Sequence, residues 1–192
     1  MDNRPASAYL SAMPLTHPVG RRHALIALLV AALASAAIVG ALAFQHIGGL
    51  APCPLCLQQR LPYYLGIPVA LAAAWLAHRR AGLPARLLFL ALAGLFAYGA
   101  GLGIHHSGVE WGFWQGPTDC AAGAGGAAPS GATDLMQAMR ETRIVACDQA
   151  AWRMLGLSLA GYNALIAGAL AAASLWAAFA PRAAHGSSSA SQ

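Results

Sequence analysis

"ALIALLVAALASAAIVGALAF", residues 24–44, runs for 21 residues with Ser35 as its only polar side chain. A helix that crosses a bilayer needs about 20 apolar residues, with roughly 17 to 25 usual. Three further runs qualify, at 61–77, 87–104 and 154–180, the last interrupted by Ser158, Asn163 and Ser174. The second can begin earlier, inside the cysteine-bearing segment that precedes it. Composition agrees: 58% of the chain is hydrophobic and 9% charged, against about 25% charged in a soluble domain. The expected fold is all-α, an integral membrane four-helix bundle over residues 24–180 with tails at 1–23 and 181–192. Arg21-Arg22 before the first run and Ala41-Leu42-Ala43 near its end also resemble a cleaved signal. A signal-peptide core is typically ~7–15 residues, so this longer run reads as a retained span.

Four spans leave both termini on one side. Arg4, Arg21, Arg22, Arg79, Arg80, Arg86 and Arg182 fall there, seven in all, against Arg60, Arg140, Arg143 and Arg153 on the other. The positive-inside rule makes the termini cytoplasmic. Spread this way, the net charge of +5 gives no basic patch for nucleic acid. The loops at 45–60 and 105–153 then face outward, into the periplasm if the membrane is a bacterial inner membrane. Cys53, Cys56, Cys120 and Cys147 all fall on that side, where disulfides form and persist.

The second loop is long. Trp111 and Trp114 suit an interfacial belt, and the Gly/Ala-rich segment after Cys120 reads as flexible. Residues 134–145 are expected to form a short amphipathic helix, with Leu135, Met136 and Met139 lying on the membrane surface. Gly99, Gly103, Ala160, Ala164 and Gly168 allow close helix packing, and Asn163 suits an interhelical hydrogen bond.

In "APCPLCLQQRLPYY", residues 51–64, Pro54 suits the first position of a helix. That makes Cys53 its N-cap and puts Cys56 in its first turn, where free amide protons stabilise a thiolate. Arg60, one turn after Cys56, adds a permanent cation. A redox site, a pair of structural disulfides and a zinc site all remain open from these residues. Zinc fits least, because Cys120 and Cys147 are separated by 26 residues rather than by the short spacing of a metal pair.

These residues resemble the DsbB family of membrane thiol–quinone oxidoreductases. The likeness rests on Cys-Pro-Leu-Cys with Arg60 and "LPYY", on His106 before "GVEW", on Gly116, Pro117 and Cys120, and on Cys147, Trp152 and Leu155-Gly156-Leu157. The resemblance implies an enzyme that reoxidises a periplasmic DsbA-like thioredoxin-fold protein and passes the electrons to the membrane quinone pool, ubiquinone or menaquinone, without metal or flavin. It implies that Cys120 and Cys147 form the disulfide attacked by the partner, and that Cys53 and Cys56 form the quinone-linked pair. Arg60 and His106 would bind quinone, with the adjacent His105 solvated; Gln59 is neutral where some relatives carry an acid. Tether lengths divide the roles the same way. Cys147, seven residues before Met154, is held near the membrane to attack Cys53, leaving Cys56 to face quinone, while Cys120 is presented outward. Two rivals are a vitamin K epoxide reductase-like enzyme, whose C-x-x-C would begin the last helix, and a membrane scaffold with structural disulfides.

Overall fold

The computed structural model describes residues 19–116, 143–144, 147, 150 and 152–181. Four helices carry the fold: α1 (Arg21–His46), α2 (Pro54–His78), α3 (Gly82–Glu110) and α4 (Leu159–Phe179). All four are long and apolar enough to cross a membrane. Even the shortest, α4 with 21 residues, rises about 30 Å, the thickness of a bilayer's hydrocarbon core. The protein is an all-α membrane bundle, as the apolar runs predict.

In lipid, sequestering large side chains gives helices little drive to associate, so small residues that allow close contact decide the interfaces. On α1, Ala27, Ala31 and Ala34 are buried while Leu25, Leu29 and Leu33 remain exposed to the surroundings. A Cβ added at Gly103 would lie 2.8 Å from the Ala164 nitrogen, and one at Gly99 would lie 3.2 Å from the Pro62 ring. The expected glycine pair therefore does pack α3 onto its neighbours. Gly168 has nothing within 4 Å and takes no part. Helix α3 packs heavily on α4 and α2, and α2 on α1, whereas α1 and α4 touch far less.

One end of the bundle gathers the start of α1, the α2–α3 turn and the end of α4. Arg86 is not in that turn, as its place in the sequence suggested; it lies within α3 and is fully buried. Its guanidinium donates to the backbone carbonyls of Ala178 and Ala180, the second at 3.0 Å. Those acceptors are carbonyls at the end of α4, beyond the reach of the helix's own amides.

Two short sheets organise the other end. Strand β1 (Leu50–Ala51) pairs in parallel with β2 (Arg143–Ile144), with Ala51 opposite Ile144. The helix expected over 134–145 is corrected at its C-terminal end, since Arg143 and Ile144 are extended; residues 134–142 lie outside the described residues. Consecutive β-branched Ile144 and Val145 favour strand over helix. The fourth span is also shorter than the apolar run from Met154. Strands β3 (Arg153–Met154) and β4 (Leu157–Ser158) form an antiparallel hairpin first. Leu155 and Gly156 turn it with φ of 52° and 84°, the positive pair a two-residue type I′ turn requires. Ser158 then caps α4, its hydroxyl accepting from the Gly161 amide at 3.2 Å.

Candidate functional site at the cysteine end

Helix α2 starts where the sequence suggests, with Pro54 in its first turn and Cys53 as N-cap. The Cys53 sulfur therefore sits over free helix amides and accepts from the Cys56 N–H at 3.2 Å. The Cys56 thiol also points at it, with 2.9 Å between the sulfurs, and both cysteines are free thiols. His106 Nε2 approaches Cys53 to 3.8 Å. These contacts hold the Cys53 thiol down to about 4 from an ordinary 9.0; the Cys56 thiol contributes most, burial opposes it, and His106 and the Cys56 amide assist. The thiolate stabilised by the helix start is thus Cys53. Cys56 lines a cavity.

That cavity measures about 590 Å³ and lies where α1 and α4 meet least, with apolar walls from both helices. Its polar end carries Cys56, Gln59, Arg60, His106, Glu110 and Asn163. Arg60 is steadied by donating to Gln45 Oε1 at 2.7 Å.

His106 is placed by the length of α3. The second loop does not begin at residue 105, because α3 continues to Glu110 and stops at Gly112 with φ of 75°. Phe113 N–H donates to the Gly108 carbonyl at 2.9 Å and Gly112 N–H to Val109 at 3.0 Å, a Schellman stop that needs a left-handed residue. His106 consequently points into the bundle, 4% exposed, while His105 is exposed and stacks on Trp114. The adjacent histidines are thus separated by helical phase.

Glu110, one turn beyond His106, escaped the sequence reading. Its side chain is 5% exposed, with Oε1 3.9 Å from His106 Nε2, and Oε2 has no hydrogen-bond partner among the described residues. The i, i+4 spacing from His106 was the available signal. Gln45, Gln59 and Tyr63 were also missed as partners, since nothing in a linear sequence pairs them. Asn163 does make the expected interhelical bond, donating to Gln59 Oε1 at 2.6 Å, and it lines the cavity as well.

Cys147 is buried, held in a disulfide, and packed in one apolar cluster with Cys53, Leu55 and Val109. The β1–β2 register explains its position: Cys53 follows Ala51 by two residues and Cys147 follows Ile144 by three, on strands running side by side. Cys120 lies outside the described residues. The two thiol sulfurs and one His106 ring nitrogen all fall within 4.8 Å of one another. Among the described residues these are three donors, where the closed tetrahedral set of a structural zinc site has four.

Thiols poised for exchange at the rim of a membrane bundle place the protein among membrane thiol–disulfide oxidoreductases. The family described as "Disulfide bond formation protein DsbB" matches residues 22–177, most of the chain, and the protein belongs to that family. No curated protein and no solved structure matches the chain.

Proposed function

We propose that the protein oxidises a periplasmic DsbA-like dithiol protein and delivers the electrons to a membrane quinone. The observation that supports this most is the opening of the Cys53–Cys56 dithiol, through Cys56, onto a lipid-side cavity of about 590 Å³. Apolar walls suit an isoprenoid tail, and a polar end with Arg60 and His106 suits ring carbonyls. A quinone supplies an acceptor for two electrons and two protons; the residues supply everything else. Arg60, braced by Gln45, holds a carbonyl oxygen, and His106 offers its Nε2–H beside the sulfurs.

Oxidation of the dithiol forms one Cys53–Cys56 bond and releases two electrons and two protons. To restore the dithiol, partner thiolates reduce the disulfide that Cys147 forms, in this reading, with Cys120. The freed Cys147 thiolate attacks Cys53, and Cys56 leaves as thiolate; Cys120 then attacks Cys147 in the resulting mixed disulfide, re-forming its own bond to Cys147 and releasing Cys53 as thiolate. The packing of Cys147 against Cys53 supports that order. With Cys53 and Cys56 as thiols and Cys147 oxidised, the chain is in the state that follows arrival of electrons at the inner pair. The membrane would be a bacterial inner membrane, with termini cytoplasmic and cysteines periplasmic.

Two measurements test the reading. Purified protein given reduced partner and ubiquinone or menaquinone is expected to reduce the quinone, and Arg60→Met to raise the apparent KM for it. A partner lacking its second active-site cysteine is expected to be trapped on Cys120 in Cys147→Ala protein and to escape Cys120→Ala. Failure to oxidise any dithiol would leave a scaffold with structural disulfides, and an unchanged KM would leave Arg60 as an interfacial anchor.

A further inference from the structure

Behind the Cys53 sulfur, four side chains from three helices stand in line. Tyr63 hydroxyl donates to Asn163 Oδ1 at 2.6 Å, and Asn163 Nδ2 donates to Gln59 Oε1 at 2.6 Å. Gln59 Nε2 meets His106 Nδ1 at 2.7 Å, and His106 Nε2 lies 3.8 Å from Cys53 Sγ. A line of amides can be polarised either way, so something must choose its direction. The Leu55 backbone carbonyl does so. It can only accept, and Gln59 Nε2 also donates to it at 3.4 Å, which turns the NH₂ end of Gln59 toward His106. An NH₂ group can only donate, so His106 Nδ1 accepts, and a neutral imidazole then carries its hydrogen on Nε2. We infer that Gln59 and Asn163 are positioning residues that fix the His106 tautomer with Nε2–H toward Cys53, and thereby set the ionisation of that thiol.

Burial gives the arrangement its force. Gln59 is 6% and His106 4% exposed, so a lost bond is felt at the imidazole, and polarity runs along the line cooperatively. The charged and titratable groups facing the same point are few among the described residues. Helix α3 contributes Glu110, 3.9 Å from His106 Nε2; α2 contributes Cys56 and Arg60; α1 and α4 present neutral Gln45 and Asn163. Glu110 competes for the same Nε2–H, which makes a fixed tautomer the more consequential. The inference requires Cys53 to be the working thiol but does not depend on quinone.

The test is the pH profile of Cys53 alkylation by iodoacetamide in reduced full-length protein without quinone or partner. Gln59→Met removes the donor to Nδ1 and is expected to move the half-maximal pH up by about one unit, as loss of a hydrogen bond to a charged group implies. Asn163→Leu should shift it less, because Leu55 still orients Gln59, and Tyr63→Phe least. In a His106→Leu background, Gln59→Met should add nothing, because its effect passes through the imidazole. Wild-type profiles in the variants that fold, a reversed order of shifts, or slower alkylation at every pH without a shift would each overturn the inference. So would an additive effect in the His106→Leu background. Because quinone is absent, loss of quinone reduction alone would count against the proposed function and not against this relay.

Discussion

Both ends of the bundle bury polar side chains, but the two networks end differently. At the end holding the start of α1, Arg86 and His23 converge on the last carbonyls of α4, with His23 Nε2 3.2 Å from the Ala180 oxygen. Their hydrogen bonds among the described residues run to backbone groups. At the cysteine end, Tyr63, Asn163, Gln59 and His106 form a line that stops at a thiol, with one Glu110 oxygen unpaired among the described residues beside it. A network closed on backbone stabilises helix ends, whereas one that stops on a sulfur can pass its polarity to chemistry. Deleting a group should therefore cost stability at the first end and activity at the second.

The sharpest break of that contrast is Cys56→Ala, which should abolish disulfide generation entirely while leaving the unfolding temperature in detergent near wild type. Stable, active Cys56→Ala protein would remove the dithiol from the reaction. Next comes Arg86→Met. Buried carbonyls lose a charged donor, at about 2–4 kcal/mol, read as a lower unfolding temperature with turnover per folded molecule almost unchanged. Lost turnover in fully folded Arg86→Met protein would join the two networks that the structure keeps apart.

A pH series sharpens the cysteine end. With its pKa depressed from 9.0 to about 4, Cys53 should alkylate at a nearly constant rate from neutral pH down to about 5, and then fail as the thiolate protonates. By linkage, the same depression stabilises the reduced fold fully above the ordinary thiol value, progressively less below it, and not at all once pH falls through about 4. Chemical denaturation of wild type against Cys53→Ser should show that gap narrowing as pH drops. The smallest effect is expected of Gln45→Leu, which frees Arg60 without deleting it. A several-fold rise in quinone KM, below that of Arg60→Met, would mark Gln45 as a brace, and no rise would leave Arg60 self-supporting.

Much of this was legible without coordinates. Runs of about 20 apolar residues have one stable form in lipid, the helix, because no water is present to satisfy open backbone groups. Pro54 fixed the start of α2 for a similarly local reason. The C-terminal end of the proposed loop helix, the beginning of α4 and the end of α3 were misplaced. Each depended on a partner or a turn: Leu50–Ala51 for β2, Leu155-Gly156 for the hairpin, Gly112 for the helix stop. The last two left glycines as signs in the sequence, and the first left the β-branched pair Ile144-Val145.

Residue order by itself determined the membrane-spanning class, the gathering of Cys53, Cys56 and Cys147 at one end and the N-cap position of Cys53, since each follows from local composition or from strict alternation of the spans. Tertiary structure alone decided that His106 faces in and His105 out, that Cys147 packs beside Cys53, and that Leu55 orients the amides reaching His106. The physical reason is range. Hydrophobic length and capping act within a few residues, whereas Asn163 and Gln59, 104 positions apart, meet only after α2 and α4 have each packed on α3.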